Sequence, residues 1–434
     1  GIWSLLAGGV AGAVLGISLL KFGNPVIFEG MIVAPEGVME FLLQPWPVSW
    51  GYLMVGVVAL LVLKCSRLDW KSPRWILLLP LVWLAWQFVS STRSVSPELS
   101  RATLWHFSAT VTWFYVGVFG LARFPNLRFF WGLLLSGFLL VLWFGSEQHY
   151  GGLEATRRMV YEQPNWRDFP PAYLKKVASN RIFSTLVYPN ALAGVILLLF
   201  PFLLPVAWRM AAPLPRIARM VCVGLMAYLA IACLYWSGSK AGWLIALAVG
   251  AIALSSRPFP RRIKVIALCV VLLGGLTVFA VRYAPYFKRG ATSVGARFDY
   301  WEAAARTALD RPLFGSGPGT FSVPYAKIKR PESEMARLVH NDYLEQASDS
   351  GVIGFATYTT FILALMAGLA RKVWRHPDRS LFAVWLGLAG WALQGTVEFS
   401  LYIPALAWPA FALMGYLFGR CQQGAGSGET IRQA

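Results

Sequence analysis

The chain has 434 residues, 57% of them hydrophobic and only 14% charged, with a mean hydropathy of +0.55. A soluble domain carries roughly 25% charged residues, so a water-solvated core is excluded as the home of so many apolar runs. The formal net charge of +19 does not imply nucleic acid here, because Lys and Arg in short loops set membrane orientation and meet anionic lipid headgroups.

Apolar runs of about 17–22 residues, enough to cross a hydrocarbon core of roughly 30 Å, recur from end to end. They predict one polytopic all-α domain over 1–434. Its twelve spans lie near 2–20, 49–63, 75–90, 102–121, 129–146, 185–207, 217–236, 241–256, 263–281, 352–370, 380–396 and 403–419. The sequence starts at Gly1, so the native start is expected to be missing, and the first run is read as a retained helix rather than a signal peptide. Connections after the even-numbered spans are short and basic. They hold Lys64, Arg67, Lys71 and Arg74, then Arg123 and Arg128, then Arg209, Arg216 and Arg219. Arg257, Arg261, Arg262 and Lys264 follow, then Arg371, Lys372, Arg375 and Arg379, against only Asp69 and Asp378. By the positive-inside rule both termini are cytoplasmic. The tail at 421–434 reads as a flexible cytoplasmic end. None of the five cysteines falls in an outer loop, so no disulfide is expected.

The odd-numbered connections then face outward, and three are long: about 21–48, 147–184 and 282–351. Arg181 opens RIFSTLVYPNALAG at the mouth of span six. Lys240 lies in WSGSKAGW, a turn so tight that its ammonium stays near the membrane surface, where snorkelling to headgroups is the plain alternative. Arg297 begins ARFDYWEAAARTALD, a stretch whose helical spacing puts Phe298, Trp301, Ala305, Ala308 and Leu309 on one face. Pro312 stops that helix. GSGPG at 315–319 lacks the Gly-Lys-Ser/Thr of a P-loop and reads as a turn. A second helix is expected within 335–350, ending near Gly351, so the loop forms a helical cap on the membrane surface. His340 sits just before span ten, with the side chain best suited to take a proton near neutral pH. Its neighbours Asn341 and Asp342 are candidates to cap the following helix; Asp342 is also a candidate to hold the imidazole tautomer. Three cations on one side of the membrane form a group able to hold a diphosphate by charge-assisted hydrogen bonds. No D-x-D pair occurs, so cations rather than a metal are expected to neutralise such a leaving group.

The strings RIFSTLVYPNALAG, YWSGSKAGWLIAL, GARFDYWEAAARTALDRPLFGSGPGTF and VHNDYLEQASDSGVIG resemble, in this order, motifs of the bacterial O-antigen ligase and O-antigen polymerase family over roughly 180–355. The resemblance implies a GT-C type membrane glycosyltransferase fold with a large periplasmic loop between spans nine and ten, in the bacterial inner membrane. It implies a donor glycan on undecaprenyl diphosphate, and transfer to a lipid A core, a growing glycan or a protein hydroxyl. The family histidine matches His340 and the family arginines match Arg181 and Arg297; Asn190, Asn341 and Asp342 are expected in support. Lys240 stands where many members carry arginine, which keeps the charge and loses the bidentate fork. The implied chemistry is a single inverting displacement with no metal and no cofactor. A twelve-helix secondary transporter is the alternative from another class; it would place ionisable groups at the bilayer midplane, whereas these candidates, and Glu398 at the outer end of span eleven, lie at outer ends.

Overall fold

The computed structural model describes residues 2–66, 74–164, 166–169, 174–175, 177–288 and 292–430. Arg67, Asp69 and Lys71, used above for topology, lie outside these residues, as does the end of the 421–434 tail. Helices fill the described residues, and no strand occurs among them. The long ones are α1 (Ile2–Lys21), α2 (Val48–Cys65), α3 (Arg74–Ser91), α4 (Pro97–Tyr115), α5 (Arg128–Glu147), α6 (Pro189–Met210) and α7 (Arg216–Trp236). Then come α8 (Lys240–Ser255), α9 (Arg261–Lys288), α10 (Thr292–Asp310), α11 (Asp342–Arg375), α12 (Arg379–Gln394) and α13 (Pro404–Thr430). Every expected span coincides with one of these helices, α10 being the loop helix. Seven are long and apolar enough to cross a membrane: α1, α2, α5, α6, α7, α9 and α11. Seven such helices mark an integral membrane protein.

The other helices fall short in length or composition, and burial differs widely along the bundle. α13 is the hub of the bundle: the side chains of Ala405, Leu406, Trp408, Phe411 and Leu413 are wholly buried. A helix apolar on every side belongs inside. It packs on α4 and on the wide turn Val116–Leu121 that continues α4. The approach is backbone to backbone, since a Cβ on Gly415 would overlap the Phe114 carbonyl and one on Gly117 the Ala412 carbonyl. α1 meets α5 the same way, with Gly12 and Gly16 against the Phe130 and Leu133 carbonyls. Small residues one turn apart let helices close without a hydrophobic driving force. α9 is the opposite case: Val270, Leu273 and Val281 are exposed, which suits a lipid-facing helix.

In the 282–351 connection, α10 buries Tyr300, Ala303, Ala304 and Thr307. Of the apolar stripe expected on one face, Phe298 and Leu309 are exposed, while the opposite face packs on Phe321, Tyr325 and Val339. The GSGPG turn is structural. Gly315, Gly317 and Gly319 all have φ between +63° and +109°, a region open to glycine. The buried Asp349 carboxylate accepts the Gly319 N–H at 2.7 Å. At Gly351 (φ +68°) α11 kinks, and a Cβ there would overlap the Leu313 carbonyl. The turn therefore docks into the kink, fixing the first part of α11 and His340 before it.

Candidate active site

The loop carrying Arg181 is pinned from below. Gln148 Oε1 accepts the Phe183 and Ser184 N–H groups at 3.0 and 2.7 Å, and Thr185 donates to the Leu19 carbonyl at 2.7 Å. The guanidinium then points across to α7 and α6, donating from Nε to the Ser237 carbonyl and from Nη2 to Asn190 Oδ1, each at 2.7 Å. Asn190 is on the first turn of α6, started by Pro189 at a position where the missing N–H costs nothing. Its Nδ2 donates to Glu398 Oε1 at 2.6 Å.

Lys240 begins α8 because Ser239 caps that helix, accepting the Gly242 N–H at 3.2 Å. Gly238 (φ +61°) makes the turn possible. The ammonium does not snorkel away. It lies over the Tyr286 ring at 3.8 Å and the Tyr283 ring at 5.3 Å, near enough to Arg181 and Arg297 to feel their charge.

Glu398, between α12 and α13, is the centre of the cluster. Its side chain is 6% exposed and takes Arg297 Nη2 on Oε1 and His340 Nδ1 on Oε2, the latter at 3.2 Å. Burial alone would raise this carboxyl; His340, Arg297 and Arg181 outweigh it and hold it below the usual carboxylate range. Burial likewise pulls Arg181 down, partly offset by Glu398. An ionised carboxylate only accepts, so Nδ1 of His340 donates to Glu398, and Nε2 is the ring nitrogen left for the acceptor. The imidazole is 28% exposed, stacked near Tyr300 (5.7 Å) and edge-on to Phe399 (4.7 Å). Its φ is +57°, a left-handed backbone that non-glycine residues seldom adopt and that often marks a functional site.

Arg181, Lys240, Arg297 and His340 therefore converge, with Asn190 as a bridge. Asn341 stands apart: its Oδ1 caps α11, accepting the Tyr343 and Leu344 N–H groups at 3.1 and 3.0 Å. Asp342 neither caps nor touches the imidazole. It is fully buried and accepts the Leu401 N–H at 3.2 and 3.1 Å, tying α11 to the start of α13; Glu398 holds the tautomer instead. Sequence reasoning missed Glu398 as a site residue, with Tyr283 and Tyr286. The signal for Glu398 was there: an acidic residue at the outer end of a span needs a cation. Among the described residues no group of three or more His, Cys, Asp or Glu is placed to hold a metal ion.

A large apolar cavity lies elsewhere, toward the far ends of α6 and α8. It has no part in this cluster.

Residues 225–359 match the family described as O-antigen ligase. Lys240, Arg297 and His340 fall inside that stretch, whereas Arg181, Asn190 and Glu398 fall outside it. An uncharacterized protein of Haemophilus influenzae is 29% identical over 150 residues, covering 29% of this chain and 38% of that relative. The chain thus spans well under half the length of the relative it matches. Over 225–359 the chain is therefore similar to the domain described as O-antigen ligase.

Proposed function

We propose that the cluster around Glu398 is the catalytic centre of a glycosyltransferase that moves a glycan from a polyprenyl diphosphate to an acceptor hydroxyl. The observation that carries this is the charge and order of the cluster. Three cations and one carboxylate leave two net positive charges, which match a diphosphate diester with one charge on each phosphate. A histidine oriented by a carboxylate stands beside them, its other nitrogen unencumbered.

In this mechanism Arg181, Lys240 and Arg297 bind the phosphates, with undecaprenyl diphosphate as the carrier. His340 Nε2 takes the acceptor O–H proton. The acceptor oxygen bonds to the anomeric carbon as the bond from that carbon to the diphosphate breaks. The departing oxygen keeps the electron pair, the anomeric configuration inverts, and the cations stabilise the added charge. Glu398 holds the ring and stabilises the imidazolium as it forms. Lipid A core is the favoured acceptor, with chain extension or a protein hydroxyl as the other family outcomes. The proposal includes twelve crossings of the inner membrane, cytoplasmic termini and a periplasmic site. It is favoured over transport because the charged groups gather at helix ends rather than mid-helix.

The test is transfer by the purified protein from a polyprenyl-diphosphate glycan, with and without lipid A core. Product that needs the core supports a ligase, and chain lengthening without it a polymerase. No glycan released or transferred under either condition would overturn the assignment.

A further inference from the structure

The cavity of about 1000 Å³ lies between α6, α7, α8 and α12. Its wall is apolar, with Ile196, Phe200, Leu234 and Val249 among the lining residues. Its far rim is basic: Arg209 ends α6, Arg216 begins α7, Arg257 follows α8 and Arg379 begins α12. Asn190 lies in the first turn of α6 and Lys240 begins α8, so this rim is at the opposite end of these helices from the candidate active site. None of the four arginines has a carboxylate within ion-pair distance among the described residues. The nearby acid is Asp378, close enough to Arg209 to feel its charge. Its Oδ1 is already taken by the Ser380 N–H and hydroxyl at 2.9 and 2.6 Å. Arg379 donates only to the Trp374 carbonyl, at 3.4 Å.

An apolar chamber with four arginines gathered at one end of its lining is the complement of an anionic lipid. Acyl chains fill the wall, and the phosphate takes the guanidinium groups in charge-assisted hydrogen bonds. We propose that this chamber binds an anionic glycerophospholipid drawn from the leaflet at the arginine rim, separate from any donor lipid at the candidate active site. Gly224 and Gly250 support an occupied space rather than a packing contact: each lines the chamber, and a Cβ on either meets nothing within 4 Å.

The test is native mass spectrometry of the full chain released from bilayers of equal phosphatidylglycerol and phosphatidylcholine. Phosphatidylglycerol should be retained preferentially. Arg209→Gln combined with Arg216→Gln should lower that preference about tenfold or more. Gly224→Trp, which fills the chamber and leaves every charge in place, should lose the bound lipid while keeping the helical circular-dichroism signal. Equal retention of the two phospholipids, unchanged retention in the arginine variant, or displacement of phosphatidylglycerol by an equimolar polyprenyl phosphate would each overturn the proposal. Should the double arginine variant fail to fold, Arg257→Gln and Gly224→Trp decide it by the same readout.

Discussion

Glu398 connects His340, Arg297 and, through Asn190, Arg181, so one side chain sets the geometry of three candidate roles. Removing one partner of a buried ion pair typically costs about 3–5 kcal/mol. Glu398→Ala should therefore lower the melting temperature as well as the activity, and His340→Ala should lower it less, since Arg297 and Asn190 still hold Glu398, as circular dichroism would record. The carboxyl's folded value is depressed, so its stabilisation is complete above the ordinary carboxylate range and lost as pH falls through the folded value. Thermal stability should fall from about pH 5 downward, and Glu398→Gln should flatten that acid limb. An acid limb identical in the two proteins would mean other carboxyls control it. Lys240→Ala should raise the donor KM about tenfold or more, and Lys240→Arg should restore it, since the guanidinium keeps the charge and adds a fork. Equal KM in all three would remove Lys240 from the phosphates.

Helix breaks and caps position these side chains. Gly351 holds φ +68° where α11 turns over the Leu313 carbonyl, and the GSGPG turn docks into the same kink. Gly351→Ala should fail to fold or melt far lower, because the strain and the overlap act together. A melting curve matching the parent would show the kink to be dispensable. Asn341→Ala should cost about 1 kcal/mol, the usual worth of such a cap, with donor KM unchanged. The motifs were legible in the sequence because they obey local rules: Asn before a helix, glycine at turns, and Ser239 ahead of Lys240. The buried face of α10 was not. Phe298 and Leu309 follow helical spacing as well as Tyr300 and Thr307 do, and only the position of Tyr325 and Val339 decides which stripe faces inward.

At the scale of the whole molecule, hydropathy located the long apolar helices, because a segment that must satisfy its backbone in lipid has little choice but to be helical. It could not rank them. Residues 404–418 of α13 are enclosed and α9 is nearly bare, yet both read as apolar runs. Nor could it bring Glu398 to His340 across 58 positions, since such pairing depends on how α11, α12 and α13 meet. The basic connections predict that a thiol reagent confined to the periplasm labels a cysteine placed at Glu332 but not one placed at Arg262; the reverse pattern would invert the topology. The catalytic proposal rests on one pair acting as a unit, and a double-mutant cycle in the transfer assay tests it most directly. His340→Ala and Glu398→Gln should each slow transfer by about 10²–10⁴-fold, and the double variant should be no slower than the worse single. Losses that multiply, or wild-type rates in either single variant, would contradict it.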